Sequence, residues 1–212
     1  MRYTTCIFDL DGTLLDTLDD LTDAVNFTLR RFGYKERSRD EIRLFVGNGA
    51  RRLLERSLGG TPENFDEILA FYDEYYTAHS AEKTAPYPGV MDLLRELCRR
   101  ERKVAVVSNK QDAAVKKLVR RYFPGLISVA VGQKKGVGPK PAPDSVRAAM
   151  AELWSESWEC VYIGDSDVDI MTARAAGTAV ISVDWGFRSR DFLMQHGAGT
   201  VISSPGELLK LV

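Results

Sequence analysis

Two aspartates one residue apart, Asp9 and Asp11, carry the clearest chemical signal in this chain. They follow the apolar run Cys6-Ile7-Phe8 and precede Gly12. Because the interior of a strand buried on both faces excludes unpaired charge, we expect Asp9 at the carboxyl end of a strand and Asp11 in the following turn. Two carboxylates so close cannot both be ionised cheaply without a cation. The pair therefore predicts a metal ion, a proton or a lysine nearby.

Further polar clusters follow two later apolar runs. Ser108-Asn109-Lys110 follows one run, residues 165–169 follow another, and Lys140 stands in a glycine- and proline-rich loop. Each residue taken alone has a plain structural explanation, as a turn, a helix N-cap or a solvated loop charge. The carboxyl ends of parallel strands meet at one sheet edge, however, so these groups can converge on Asp9. Their joint occurrence indicates a site.

The combined set fits phosphoryl transfer. Asp9 and Asp165 supply the hard oxygen ligands that suit Mg²⁺. Ser108, the backbone N–H of Asn109 and Lys140 are donors suited to a phosphoryl group. A carboxylate kept ionised by Mg²⁺ and a lysine can attack phosphorus.

Asp11 has a separate role in this hypothesis. It can turn its side chain toward the leaving oxygen as a general acid, and then act as the base for the hydrolytic water.

The elements that must position these residues fall into two groups. From about residue 85 onward, helical patterns alternate with apolar strands, which predicts a doubly wound parallel sheet. Residues 17–80 instead contain four helical patterns and no strand. The predicted fold class is α/β, with a Rossmann-like core (residues 1–15 and 82–212) and an inserted α-helical cap domain (residues 16–81). The links around Asp16 and 81–86 are predicted to be hinges.

Bulk composition excludes several classes of function. The chain has 212 residues, 44% of them hydrophobic and 28% charged, with a formal net charge of −1. This balance favours neither nucleic acid nor an anionic membrane surface as a partner. No apolar run approaches the roughly 20 residues that span a bilayer, and Asp9 and Asp11 interrupt any signal-peptide pattern. Three widely spaced cysteines and two histidines argue for free thiols in a reducing cytoplasm and against a zinc site.

The motifs resemble those of the haloacid dehalogenase-like superfamily. Asp9-Leu10-Asp11-Gly12-Thr13-Leu14 matches its DxDGTx motif. Ser108, Lys140 and the run from Gly164 to Asp169 match its second, third and fourth motifs in order. The predicted helical insert is similar to the small α-helical cap of that superfamily. The resemblance covers essentially the whole chain.

The resemblance implies a role for each matching residue. Asp9 would be the nucleophile that forms an aspartyl-phosphate, and Asp11 the general acid and base. Mg²⁺ would be held by Asp9, the backbone carbonyl of Asp11 and Asp165, with Asp169 orienting that shell or Lys140. The residues that would hold the phosphate are Ser108, Asn109 and Lys140.

The predicted cap contains one further resemblance. Residues 45–56 resemble the cap segment of phosphoglycolate phosphatases, so the expected partner is a small phosphorylated metabolite, with 2-phosphoglycolate first. The loop Gly47-Asn48-Gly49 could place backbone N–H groups near the substrate, although an ordinary interhelical turn explains it equally well. Arg51 and Arg52 could meet a carboxylate, but a solvated helix face is the simpler interpretation. Trp185-Gly186 and Arg188, after the last main strand, could touch the rim of the site, but packing is the simpler interpretation.

Several alternatives stay open at this point. A sugar-phosphate mutase like β-phosphoglucomutase would share the chemistry of Asp9 and Asp11, as would a pyrophosphatase or nucleotidase of the same superfamily. A signalling receiver that accepts a phosphate also uses an aspartate, a hydroxyl and a lysine on such a sheet. The sequence is compatible with a monomer or a homodimer.

Overall fold

The computed structural model of the chain describes residues 3–212. Six strands form one parallel sheet in the order β5-β4-β1-β6-β7-β8. These strands are β1 (Thr5–Phe8), β4 (Lys103–Gln111), β5 (Val129–Gln133), β6 (Cys160–Gly164), β7 (Ala179–Val183) and β8 (Val201–Ile202). Two short strands, β2 (Leu15–Asp16) and β3 (Ala85–Pro86), form a separate ribbon.

The helices divide into the two groups that the sequence predicts. Four helices lie between β2 and β3: α1 (Leu18–Arg31), α2 (Arg39–Phe45), α3 (Gly49–Leu58) and α4 (Phe65–His79). We call α1–α4 the helical insert. The other six alternate with the strands of the sheet: α5 (Val90–Arg99), α6 (Asp112–Tyr122), α7 (Asp144–Glu152), α8 (Asp167–Ala176), α9 (Arg190–Gln195) and α10 (Pro205–Leu208).

Strand β1 lies at the centre of the fold. Its neighbours are β4 and β6, with Thr5 opposite Lys103 on one side and Cys160 on the other. Cys6 and Phe8 pack into the apolar cluster on one face of the sheet, whereas Ile7 packs into the cluster on the other face. Because both faces are covered, every side chain of β1 is buried. The predicted α/β fold class with an inserted helical cap is confirmed.

The helical insert has an apolar core of its own, built around Leu29, Ile42, Leu54, Ile68 and Tyr72. No strand interrupts the helices between Leu18 and His79, as the sequence predicts. The insert is therefore stabilised mainly by contacts among its own helices.

The two chain crossings to the insert are paired with each other. Leu15 lies opposite Pro86 and Asp16 opposite Ala85 in the antiparallel β2–β3 ribbon. The sequence predicts hinges at these links but not the ribbon, because two residues per strand are too few to show alternation. Buried Asp20 of α1 also accepts hydrogen bonds from the backbone N–H of Lys83 and of Thr84, each at 2.9 Å.

Two strand boundaries differ from the prediction. We expected the strand before Ser108 to stop there, but β4 continues to Gln111, which pairs with Gln133 after a register shift. Polar residues can extend this strand because its end lines a cavity instead of the core. Strand β5 begins at Val129, two residues after Ile127, where the apolar run of the sequence starts.

The helices of residues 3–212 do not reach the combination of length and apolarity that a membrane span requires.

Candidate active site

Asp9 and Asp11 lie at the carboxyl end of the central strand, as predicted. Asp9 follows β1 directly, is 7% exposed, and donates its backbone N–H to the carbonyl of Ile163 at 2.9 Å. Gly12 has φ of +88°, a conformation that costs glycine little and other residues much. A Cβ at Gly12 would lie 2.4 Å from Oδ2 of Asp165. Glycine at this turn therefore lets the first and fourth motifs approach closely.

Asp165 and Asp169 are placed by strand β6 and the first turn of α8. Asp165 directly follows β6, and Ser166 is the N-cap of α8 in a capping box with Asp169. In that box the Ser166 hydroxyl and backbone N–H donate to Oδ2 of Asp169 at 2.6 and 3.1 Å. Oδ1 of Asp165 accepts a bond from the Thr13 hydroxyl at 3.2 Å. Helix capping, the plain explanation for this acidic cluster, thus applies to Ser166 and Asp169 but not to Asp165.

Lys140 joins the two acidic groups. Its ammonium lies 2.8 Å from Oδ1 of Asp9 and 2.8 Å from Oδ1 of Asp169, and it donates to the Tyr162 hydroxyl at 3.1 Å. Asn109 fixes the Lys140 backbone, because its Oδ1 accepts the Lys140 N–H at 2.7 Å and its Nδ2 donates to the Lys140 carbonyl at 3.1 Å. The Asn109 side chain is thus committed to the protein.

The charges of this cluster are unbalanced. Asp9, Asp165 and Asp169 are buried, with one oxygen of each within 4.8 Å of the others, beside the single ammonium of Lys140. Burial raises the pKa of Asp9 well above its ordinary value, and Asp169 and Asp165 add to this while Lys140 opposes it. Burial and the charge of Asp169 raise the pKa of Asp165 to about 7. Desolvation lowers the pKa of Lys140, but Asp169 and Asp9 outweigh it and raise that pKa overall. A divalent cation would balance the excess negative charge.

Lys110 belongs to a polar cluster that the sequence indicates, but the sequence reasoning assigned it no role. Its ammonium lies 3.0 Å from Oδ1 of Asp11 and donates to the hydroxyl of Tyr76, on helix α4, at 2.6 Å. The Lys110 side chain is 7% exposed. Because Tyr76 comes from the helical insert, this contact joins the insert to Asp11 of the core. A solvated turn lysine has the same sequence signature, so only the fold identifies it.

The loop after β7 contacts the acidic cluster, which favours contact of Trp185 and Gly186 with the site over simple packing. The Phe187 backbone N–H donates to Oδ2 of Asp165 at 2.7 Å. Trp185 Nε1 donates to the carbonyl of Thr13 at 3.0 Å. A Cβ at Gly186 would lie 2.2 Å from the Gly12 carbonyl oxygen. The contacts of Phe187 and Gly186 use a backbone N–H and the absence of a side chain, which no residue-type pattern reveals.

A cavity of about 410 Å³ separates the sheet edge from the helical insert. Residues selected from the sequence supply part of its lining, namely Asp9, Asp11, Gly47, Asn48, Ser108, Asn109 and Lys140. Tyr72 and Tyr76 of α4 add an aromatic wall. Asp165 and Asp169 lie outside this lining, so the acidic cluster reaches the cavity through Asp9.

The predicted cap residues divide into two sets. The carbonyl of Gly47 accepts a bond from Asn109 Nδ2 at 3.2 Å, which places the α2–α3 loop over the second motif. Asn48 lines the cavity, but its side-chain oxygen is held by Arg56 at 2.9 Å. Arg52 does not line the cavity, since its guanidinium pairs with Glu55 on the solvent side of α3. This position agrees with the solvated helix face that the sequence analysis preferred for Arg52.

Comparisons with known proteins agree with this geometry. The sequence model of the haloacid dehalogenase-like hydrolase family matches residues 6–183. A Pseudomonas aeruginosa protein named phosphoglycolate phosphatase 1 is 33% identical over 215 residues, covering 96% of this chain and 77% of that protein. A Listeria monocytogenes protein named pyrophosphatase PpaX is 29% identical, covering 100% of this chain and 97% of that protein.

A solved structure is similar over the full length. It is that of a candidate phosphoglycolate phosphatase from Lactobacillus delbrueckii, which is 36% identical and superposes with a TM-score of 0.92. The superposition covers 100% of this chain and 98% of that one. The likeness therefore includes the helical insert as well as the sheet.

Proposed function

The chain belongs to the haloacid dehalogenase-like hydrolase family, and we propose that it hydrolyses a small phosphate monoester through a phosphorylated Asp9. The observation that carries this proposal is the contact of Lys140 with Asp9 at 2.8 Å, beside Asp11 and inside a cavity that the helical insert covers. A lysine in this position favours the ionised, nucleophilic form of a buried carboxylate.

The proposed reaction has two steps. In the first, an Asp9 carboxylate oxygen bonds to phosphorus while the bond from phosphorus to the leaving oxygen breaks, and Asp11 gives its proton to that oxygen. The alcohol leaves. In the second, Asp11 takes a proton from water as the water oxygen bonds to phosphorus, and the bond from phosphorus to Asp9 breaks. Inorganic phosphate leaves, and both aspartates return to their starting states.

The residues around phosphorus have distinct proposed tasks. Lys140 and Ser108 hold the phosphate oxygens, and the Ser108 hydroxyl is free to donate because its oxygen accepts the Lys110 N–H at 3.2 Å. Asn109 supplies a backbone N–H, while its side chain fixes Lys140. Apolar and aromatic walls from α3 and α4 exclude water during the first step.

Mg²⁺ fits the acidic cluster. Each oxygen of Asp169 accepts two protein hydrogen bonds, which fill its lone pairs. Each oxygen of Asp165 accepts one, and Asp9 contacts Lys140 through Oδ1, so these two carboxylates retain lone pairs for a cation. We therefore assign Asp9, Asp165 and the Asp11 carbonyl as the groups that would hold Mg²⁺, with Asp169 positioning Lys140. The ion would screen the repulsion between the Asp9 carboxylate and the phosphate.

The first substrate candidate is 2-phosphoglycolate. The names of the Pseudomonas aeruginosa and Lactobacillus delbrueckii proteins support it, and so does a cavity of about 410 Å³, which suits a small metabolite. A second candidate is inorganic pyrophosphate, which the name of the Listeria monocytogenes relative suggests.

The test is phosphate release from a panel of esters, with and without Mg²⁺. The panel contains 2-phosphoglycolate, pyrophosphate, a nucleoside monophosphate and β-glucose 1-phosphate. We expect the highest kcat/KM on 2-phosphoglycolate and no turnover by Asp9→Asn. Formation of glucose 6-phosphate would indicate a mutase. A phosphoprotein that forms and never turns over would indicate a receiver, and normal turnover by Asp9→Asn would exclude Asp9 as the nucleophile.

A further inference from the structure

Lys110 is a cation of the cavity with unused hydrogen-bonding capacity. Three basic residues line this cavity within residues 3–212: Arg51, Lys110 and Lys140. Lys140 is engaged by Asp9 and Asp169, and the half-exposed Arg51 pairs with Asp66 at 2.7 Å. Among the described residues, Lys110 donates one side-chain hydrogen bond, to Tyr76, although its ammonium has three N–H groups. It is thus the cavity cation best able to accept a new anionic partner.

The ion pair with Asp11 leaves part of the hydrogen-bonding capacity of the Lys110 ammonium unused. The ammonium lies 3.0 Å from Oδ1 of Asp11, but among the described residues that buried oxygen has no partner with hydrogen-bond geometry. The contact is therefore an ion pair without a directed hydrogen bond. A buried ammonium is stabilised by every additional hydrogen-bonded anion it gains.

The position of Lys110 fixes which part of a substrate it can reach. In the proposed reaction the leaving oxygen must come within about 3 Å of Asp11 to receive its proton. Since Lys110 also lies 3.0 Å from Asp11, a group one or two bonds beyond the leaving oxygen falls within reach of the ammonium. A carboxylate on the adjacent carbon meets this condition, whereas a hydrogen or a methyl group there gains nothing from the charge.

We infer that Lys110 and the Tyr76 hydroxyl bind an acidic group on the carbon next to the phosphoester oxygen. The inference rests on the proposed function and names its substrate class: phosphate esters of 2-hydroxy acids, of which 2-phosphoglycolate is the smallest. The selecting cation belongs to strand β4 and its neutral partner to the helical insert. The acid therefore engages the contact that joins the two parts of the molecule.

The test compares 2-phosphoglycolate with ethyl phosphate, which has a methyl group in place of the carboxylate. Lys110→Met keeps the apolar stem and removes the charge, and Lys110→Arg restores a charge. Lys116→Met is the matched control, because Lys116 is half-exposed on α6, pairs with Asp112 and does not line the cavity. Thermal unfolding of each variant verifies that it is folded.

We expect Lys110→Met to lower the ratio of kcat/KM for 2-phosphoglycolate to that for ethyl phosphate by about 100-fold, the scale of one lost charged hydrogen bond. Lys110→Arg is expected to recover part of this ratio, and Lys116→Met to leave it unchanged. Equal losses on both esters would overturn the inference, because Lys110 would then only support Asp11. An unchanged ratio would overturn it as well.

Two further measurements separate this inference from the proposed function. Tyr76→Phe removes only a hydroxyl and is expected to raise KM for 2-phosphoglycolate several-fold, with a smaller change for ethyl phosphate; equal changes would count against the inference.

Calorimetric binding to Asp9→Asn needs no turnover. There 2-phosphoglycolate is expected to bind about 100-fold more tightly than ethyl phosphate, and Lys110→Met to remove that difference. If wild type hydrolyses neither ester but this binding difference is present, the proposed function fails and the inferred acid site stands.

Discussion

The guanidinium of Arg188 donates a 2.8 Å hydrogen bond to the carbonyl of Val46, the C-cap residue of helix α2. It also donates to the carbonyls of Arg43 and Leu44 at 2.7 and 3.2 Å. Carbonyls at a helix carboxyl end lack partners within the helix, so a cation there is stabilising. The backbone N–H of the neighbouring residue, Phe187, donates a hydrogen bond to the carboxylate of Asp165. One loop thus contacts both the acidic cluster and the helical insert.

Replacing Arg188 is expected to loosen the insert. Arg188→Met removes three hydrogen bonds between the loop and the carboxyl end of α2. We expect KM for the ester to rise about 10-fold, with a smaller change in kcat. This change corresponds to roughly 1.4 kcal/mol, the free energy that we expect the three hydrogen bonds to contribute to holding the insert over the core. Amide exchange of residues 43–47 is expected to increase. Arg174→Met is the control, because Arg174 donates to the Gly197 carbonyl within the core. Unaltered exchange in Arg188→Met would contradict this role.

Gly186 is expected to tolerate no side chain. In Gly186→Ala the new Cβ would lie 2.2 Å from the Gly12 carbonyl oxygen and 2.5 Å from Cβ of Asp165. The loop must shift, so we expect the free energy of unfolding to fall by about 1–3 kcal/mol. We expect the rate of phosphate release to fall by more than this loss of stability explains. Denaturant titration and phosphate release measure the two effects. Gly206→Ala is the control, since nothing lies within 4 Å of a Cβ there. Full activity in Gly186→Ala would show that the loop is not needed.

Asp169 is expected to act through Lys140. Asp169→Asn keeps the shape of the side chain but removes the charge that faces the Lys140 ammonium at 2.8 Å. We expect kcat/KM to fall by about 10- to 100-fold, as is typical when a group behind a metal ligand is changed. Phosphate release over a range of Mg²⁺ concentrations measures both the rate and the metal requirement. Asp167→Asn, in the same helical turn but outside the cluster, should have little effect. A similar loss in both variants would point to the helix and not to Lys140.

Removal of metal is expected to abolish turnover reversibly. Treatment with a chelator should stop phosphate release, and added Mg²⁺ should restore it. Because the ion would bind only the folded chain, Mg²⁺ at about 100 times its dissociation constant should stabilise the protein by roughly 2.7 kcal/mol. Thermal unfolding measures this stabilisation, and Asp165→Asn should largely lose it. Equal stabilisation of wild type and Asp165→Asn would place the ion elsewhere.

The sequence was most informative where charge follows an apolar strand. The alternation of helices with the main strands of the core, the four helices of the insert, and the positions of Asp9 and Asp165 directly after their strands could be predicted, because polar residues that end buried strands of a parallel sheet lie at one edge. The fold class and the family agree with that prediction. The assigned chemical roles of these side chains stay predictions until they are measured.

Other features depend on tertiary contacts that leave no local pattern. Arg51 and Arg52 are adjacent, and about 100° of helical phase decides that only Arg51 lines the cavity. Lys110 meets Tyr76 across the gap between core and insert, a pairing without any fixed spacing. Phe187 acts through its backbone N–H, which is common to every residue except proline.

The β2–β3 ribbon makes the helical insert a replaceable module. Residues opposite each other in an antiparallel pair, such as Leu15 and Pro86, have Cα atoms only about 5 Å apart. The chain thus leaves the core and returns to it at nearly the same point. A short turn could join these two positions in place of the insert, and a different set of helices could be grafted there without altering the register of the main sheet. Under the proposed function, a different set of helices would change the cavity wall and leave Asp9 and Lys140 in place.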